Sequence, residues 1–526
     1  VDVALNISVD KRIYLLIIIV LAIIVEVFFL NKAVSTDGIF YIYTARQIQK
    51  NPLRPYDFEM NDNGSQRPAS VIANNPPFFS YYLALGEFIF KKVWPKISEE
   101  KMWHLLLLVW TVLAVVGFWL LSQFYLRSFS GRLLATALWF FSPAFLVNSQ
   151  NIMYDVGLLT FLLWALYFYQ LAIRQNFFIY KVVGIILGLL AGYLKFYGLL
   201  IFGCFLFLEE KKAIRWLLVV ILLFFILFSE VFWRGLAGYS FLLAAGRVGI
   251  GTKISVEKFW AFINYLGGAV IFPLGFWLLV ERRWLMVVGG LLLVGAGLFF
   301  VRVFDFFTGL HLAVFLASFF GLFFWFISHG PQSIEEQFLH FWFVIFLLFI
   351  LLVSSIIAVR YLLPAIVPLI LLVSRQLERY SWQKYILGLL SVILGIAVAV
   401  ADYQYANVYP RMVLDIKKYW ASESPIYFCG HYGFQYYLEK ENARAVLTED
   451  NSRLGLVALA RFADPQRIYP GLRQELVLRK FYPATWPVFT QNSFLAAGFH
   501  LNLFGVLPYR IDWKMPLEIL DIRRVY

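Results

Sequence analysis

The sequence predicts an α-helical polytopic membrane protein of about thirteen spans that ends in a small soluble α/β domain. Three observations carry this expectation. Of 526 residues, 61% are hydrophobic and 15% charged, whereas soluble domains run at about 45–50% and about 25%. The apolar residues gather into runs of roughly 14 to 23, near the roughly 20 needed to cross a bilayer core as a helix. From about residue 402 these runs give way to mixed charges, prolines and short apolar stretches, over about 125 residues, enough for one small domain.

Composition also bounds the function. Aromatic content of 19% fits interfacial belts of Trp and Tyr and identifies no substrate. The net charge of +13 comes from basic residues in twos and threes between apolar segments. That is the positive-inside pattern, and it argues against nucleic acid as a partner. Cys204 lies in an apolar run and Cys429 in the polar C-terminal part, so they give neither a disulfide framework nor a metal spacing. The opening VDVALNISVDKR lacks the pattern of a cleavable signal, and the first apolar segment reads as a permanent anchor.

Lys11 and Arg12 precede that first segment, 13–30, and put the N-terminus in the cytoplasm and residues 31–103 outside. Within this outer loop, 74–92 holds about fifteen apolar residues between a Pro pair and a Lys pair, short for a span. Reading it as interfacial places Arg127 and Arg132, Arg174 and Lys181, Lys211, Lys212 and Arg215, Arg282 and Arg283, and Arg375, Arg379 and Lys384 in cytoplasmic turns. The further spans are then 104–126, 132–147, 153–173, 180–194, 196–209, 214–232, 262–280, 284–300, 308–327, 338–356, 361–374 and 383–401. An odd number leaves the C-terminus outside. The chain divides into a membrane domain, 1–401, including the outer loop 31–103, and an extracytoplasmic domain, 402–526. In the latter, 425–429 reads as a buried strand, 430–433 as a turn and 434–440 as the start of a helix.

The stretch 35–45, STDGIFYIYTA, follows the first span directly and carries one acid, Asp37, to the outer interface. Its bland reading is a helix cap, because Asp-Gly is a common turn pair. Its functional reading is the acid of a membrane-surface site. Asp155, at the start of an apolar span, has the same two readings, since an acid there also favours the helix dipole. Outer-face cations are Lys195, Arg234, Arg247, Lys253, Arg302 and Arg360, each an interfacial anchor or a phosphate partner. Lys195 and Arg360 stand out because they interrupt otherwise apolar sequence. Arg302 and Asp305 have helical spacing for a mutual pair. Glu26 lies near enough to the interface to snorkel. Asn74 and Asn75, before Pro76 and Pro77, either end a helix or contact sugar hydroxyls. His431 reads as a turn histidine and not a metal ligand.

Asp37 with Gly38 and Tyr41 after the first span, NNPPFFSYYLAL in a long outer loop, and SPAFLVNSQNIMYDVGLLTFLLWALYFY from Ser142 resemble superfamily C glycosyltransferases. LLAGYLKFYGLL around Lys195 and RYLLPAIVPLILL at Arg360 extend the resemblance over roughly residues 10–400. The branch is similar to the protein O-mannosyltransferases and the lipid A aminoarabinose transferase, grouped as glycosyltransferase family 39. The resemblance implies a bacterial inner-membrane enzyme that moves a sugar from a polyprenyl-phosphate donor to a lipid, glycan or protein acceptor. It implies acidic catalytic residues at Asp37 and Asp155, and a C-terminal domain, with YFCGHYGFQYYLEK and FGVLPY, of no known activity. The outer loop has no clear DxD or ExD pair, so the resemblance leaves a divalent metal open and disfavours a metal-dependent oligosaccharyltransferase.

On this reading a carboxylate takes the acceptor hydroxyl's proton while cations hold the leaving phosphate. Asp37 serves as the base or, for a phosphate acceptor, only orients it. Asp155 orients the acceptor or shares the work. The rival readings are a flippase or transporter for lipid-linked saccharides and a non-catalytic assembly subunit. Transporters commonly show internal repeats and midplane sites; no repeat is visible, and the acids gather at one face.

Overall fold

The computed structural model describes residues 9–73, 75–240, 242–243, 255–270, 295, 305–354, 356–380, 382–419, 427–447, 455–462 and 473–526. Among these, seven helices are long and apolar enough to cross a membrane: Glu99–Ser122, Asp155–Gln175, Lys212–Gly235, Phe306–Ser328, Ile334–Leu352, Val359–Leu377 and Gln383–Lys418. Three shorter apolar helices, Ile13–Val27, Phe178–Leu194 and Phe196–Leu208, accompany them. The protein is thus a helical, multi-pass membrane protein with a β-containing C-terminal region. Most of the expected 262–280 and 284–300 spans fall outside the described residues, as do Asn74, Arg247, Lys253 and Arg302.

The segment 132–147, expected as one span, is two helices, Phe129–Phe140 and Pro143–Ser149, bent by 62°. Pro143 has no N–H to continue the first helix, and the Ser142 hydroxyl accepts from the Phe145 N–H at 3.2 Å, so the break caps the second piece.

The outer loop holds helix Gly38–Lys50, a hairpin of Glu59–Asp62 with Ser65–Pro68, and helix Phe78–Val93. Asn63 and Gly64, both at positive φ, make the hairpin's two-residue turn. Helix Phe78–Val93 buries Phe79, Ser80, Leu83, Ala84, Gly86 and Glu87 and exposes Leu85, Phe88 and Ile89. That two-faced form suits a helix lying in an interface.

One helix of 37 residues, Gln383–Tyr419, runs straight through the expected domain boundary after residue 401. Composition changes there, but no residue ends the helix, and even Pro410 lies inside it. Beyond it stands a five-stranded sheet in the order Arg444–Ala445, Tyr427–Cys429, Gly455–Ala460, Pro516–Val525, Gln474–Pro483. The first two pairings are parallel and the last two antiparallel. Helix Tyr432–Lys440 connects the first parallel pair, as such a pair requires. The region docks on the bundle through backbone and tyrosine contacts. The Val359 N–H donates to the Phe499 carbonyl at 3.0 Å, the Val34 N–H to the Tyr437 hydroxyl at 3.0 Å, and the Tyr265 hydroxyl to the Gly505 carbonyl at 2.9 Å.

Candidate active site

Four chain breaks deliver the charged side chains. Thr36 sits in the left-handed region at φ 50°, an unusual conformation for a β-branched residue, and turns the chain into helix Gly38–Lys50. Asp37 occupies the N-cap position at φ −72°, ψ 0°, and its carboxylate makes no capping hydrogen bond. The Asp-Gly pair therefore forms a turn without capping the helix. Gly38 allows the next step, because a Cβ there would lie 3.3 Å from the Ile152 side chain. That close approach brings the stretch leading to Asp155 against Asp37.

Lys195 lies in extended backbone between helix Phe178–Leu194 and the tight turn Phe196–Leu200. Gly198 packs that turn onto its neighbours: a Cβ there would meet the Ala191 carbonyl at 2.6 Å and Leu158 at 2.7 Å. Arg360 belongs to a short helical turn, Val359–Leu362, that feeds helix Leu363–Leu377.

These four residues form one chain of opposite charges. Arg360 Nη2 donates to Asp37 Oδ2 at 3.1 Å, and its Nε lies 3.7 Å from Asp155 Oδ2. Lys195 Nζ donates to Asp155 Oδ1 at 3.0 Å. The Asp155 side chain is 2% exposed, whereas that of Asp37 is 42% exposed. Asp155 therefore sits behind the two cations, and Asp37 stands in front. Lys195 Nζ also lies 3.8 Å from the Tyr361 ring centre, 4.8 Å from that of Tyr197 and 5.1 Å from that of Tyr154, an aromatic surround that favours a cation.

Asp37, Lys195 and Arg360 line a cavity of about 640 Å³. Tyr41 and Asn75 line it as well, and its far wall is apolar, with Leu199, Leu200, Leu222, Ile226, Phe349 and Val353. Burial, then the neighbouring Asp37 carboxylate, hold the Tyr41 phenol well above its ordinary pKa, so it remains a hydrogen-bond donor. Asn75 donates to the Tyr154 hydroxyl at 3.0 Å, and its carbonyl accepts from Tyr56 at 2.7 Å.

The remaining sequence candidates lie elsewhere. Arg234 is 63% exposed and pairs with Glu230 one turn away in its own helix at 3.3 Å, off the cavity wall. Glu26 does not snorkel: it is buried and accepts from the Ser149 hydroxyl at 2.6 Å. Asp305 caps helix Phe306–Ser328 and pairs with Arg510 at 2.7 Å. Both cysteines are buried, and no disulfide joins them. Among the described residues no group of three His, Cys, Asp or Glu side chains could hold a metal ion.

The cavity also has walls that sequence reasoning missed. Tyr154, Tyr197 and Tyr361 each lie within two residues of a charged candidate, a signal visible beforehand. Tyr432, Gln491, His500, Leu501 and Phe504 come from the C-terminal region; Tyr432 and Phe504 lie in the YFCGHYGFQYYLEK and FGVLPY motifs, and no local pattern marks the other three.

The fold and site together define a multi-pass membrane protein with a charged cavity built where several helices start or stop. No family model matches the sequence, and no curated protein matches it. Among solved structures the chain is similar to the crystal structure of ArnT from Cupriavidus metallidurans bound to undecaprenyl phosphate. Identity is 13% and the TM-score 0.40, over 85% of this chain and 92% of that one.

Proposed function

We propose that this protein is an integral membrane glycosyltransferase that takes a sugar from a polyprenyl-phosphate donor and passes it to a lipid, glycan or protein acceptor. One observation carries the proposal. Two buried cations, Lys195 and Arg360, share a largely apolar cavity with a half-exposed carboxylate, Asp37, 3.1 Å from Arg360. A lipid phosphate needs cations at its head and apolar surface along its tail, and a hydroxyl nucleophile needs a carboxylate beside it.

In the reaction, the bond between the sugar's anomeric carbon and the phosphate oxygen breaks and its electrons stay on the phosphate. Lys195 and Arg360 stabilise the charge that develops there. The acceptor oxygen forms the new bond to the anomeric carbon and gives its proton to Asp37. Asp155 keeps the two cations together, which otherwise repel. Tyr41 and Asn75 offer hydrogen-bond donors to sugar hydroxyls. The lipid tail lies along Leu199, Leu222 and Phe349. In this reading the N-terminus is cytoplasmic, and the cavity and the C-terminal region face the outer side of the inner membrane.

Purified protein in nanodiscs, given radiolabelled polyprenyl-phosphate sugars and candidate acceptors, tests this. Transfer by the wild type and its loss in Asp37→Asn are expected. Transfer that survives unchanged in the mutant removes Asp37 from the chemistry. Movement of lipid-linked sugar across vesicles without any transfer favours a flippase.

A further inference from the structure

A second charged cluster lies beside the cavity and meets it only at His500. Asp402, in the long helix, accepts from Lys32 Nζ on Oδ2 at 2.6 Å. Its Oδ1 meets His500 Nε2 at 2.6 Å and accepts from the Thr490 hydroxyl at 2.8 Å. Lys32 Nζ also donates to Asn151 Oδ1 at 2.9 Å. The side chains of Lys32, Asp402 and His500 are 0%, 1% and 3% exposed, and neither Lys32 nor Asp402 lines the cavity. Buried charges are costly unless fully paired, so a cluster of this kind needs a reason.

The reason lies in what it touches. Lys32 precedes Asp37 by five residues and Asn151 precedes Asp155 by four, while the backbone carbonyl of His500 accepts from Arg360 Nη1 at 2.8 Å. A guanidinium is a rigid planar fork. Arg360 has one partner at each nitrogen around the edge of that plane: Asp37 on Nη2, Asp155 near Nε and His500 on Nη1. The two carboxylates alone would leave the plane free to tilt between them. The His500 carbonyl is fixed because its own ring is anchored on Asp402 and its neighbours are pinned. Phe499 N–H donates to the Thr490 carbonyl at 2.9 Å, and Asn502 N–H to the Ile357 carbonyl at 2.9 Å.

We infer that His500 is a positioning residue for Arg360, anchored by Asp402 and Lys32, through which the C-terminal region completes the cavity's phosphate-binding side. The phosphate in this statement rests on the proposed function; the orientation of Arg360 does not. The experiment therefore has two readouts on the full chain in nanodiscs. The first needs no ligand: hydrogen exchange of the Arg360 Nε–H in ¹⁵N-arginine-labelled protein, assigned by its loss in Arg360→Lys. His500→Ala is expected to speed that exchange at least tenfold. His500→Gln, which keeps a donor for Asp402, is expected to stay within threefold of wild type. Unchanged exchange in His500→Ala overturns the inference.

The second readout is binding of undecaprenyl phosphate. His500→Ala is expected to weaken it about tenfold in the wild-type background and less than twofold in Arg360→Ala, where there is no guanidinium left to orient. Equal losses in both backgrounds reveal a purely structural staple and overturn the inference. Faster Arg360 exchange in His500→Ala, with no binding of undecaprenyl phosphate even by the wild type, supports the positioning role and counts against the proposed function alone.

Discussion

Lys195 with Asp155 and Lys32 with Asp402 are both buried lysine–carboxylate pairs, 3.0 and 2.6 Å apart, yet they are completed differently. Asp402 has every neighbour it needs from the protein: a lysine, a histidine and a threonine, with no face toward the cavity. Around Asp155 the cations are shared with the outside. Lys195 donates to one carboxylate oxygen and has two further N–H groups, and Arg360 reaches forward to a carboxylate that is 42% exposed. Saturated pairing makes a fixed joint, whereas pairing that leaves donors directed at a cavity makes a place for a ligand.

The sharpest way to break this contrast is at the open cluster. Asp37→Asn keeps the size of the side chain and removes its basicity, so transfer should fall by about 10²–10⁴-fold in the nanodisc assay, with the melting temperature nearly unchanged. At the buried Lys32–Asp402 cluster the order reverses. Lys32→Met removes one partner of a buried pair and should cost about 3–5 kcal/mol of stability, read as a large loss of thermal stability in detergent. If Lys32→Met leaves stability intact, the distinction between joint and ligand site fails.

A smaller effect separates both clusters from a further carboxylate, Asp521 in the C-terminal sheet. Burial opposes its ionisation, but the hydrogen bond and charge of Arg479, helped by Arg523 and Arg461, hold its carboxyl below the ordinary range. A depressed carboxyl contributes stability that is complete above the unfolded pKa of about 3.9 and disappears as pH falls through the folded value. The stability advantage of wild type over Asp521→Asn should therefore be constant at neutral pH and shrink below about pH 4, as followed by melting temperature against pH. Smallest of all is Arg234→Ala. Its exposed pair within one helix predicts a change within about 0.5 kcal/mol and no loss of transfer.

Lys195 and Arg360 were visible in the sequence because each is a charge that interrupts an apolar stretch and must find a partner, whereas Asp37 and Asp155 stand at span edges and drew attention through the family resemblance. An outer-face cation alone is not a selective signal, since Arg234 was also a candidate and solves its problem locally with Glu230. Lys32 and Asp402 were invisible because each stands at the edge of an apolar run, where a charge is ordinary. Their meeting spans 370 residues. His500 carries no local signal, and its link to Arg360 runs through a backbone carbonyl that any residue type possesses. For the fold, hydrophobic runs located the helices well. The break at Ser142 and Pro143 and the hairpin at Asn63 and Gly64 were written in familiar turn residues inside or beside longer patterns that masked them.

The long helix Gln383–Tyr419 has one more consequence. At 1.5 Å per residue its 37 residues make about 55 Å of helix, well beyond a hydrocarbon core of about 30 Å. It therefore extends past the membrane core and carries Asp402 partway along its length. Near its end Asp415 accepts from Lys480 at 2.6 Å and from the Tyr482 hydroxyl at 2.9 Å, both on strand Gln474–Pro483, so the helix that carries the anchor of the His500 ring also holds the sheet.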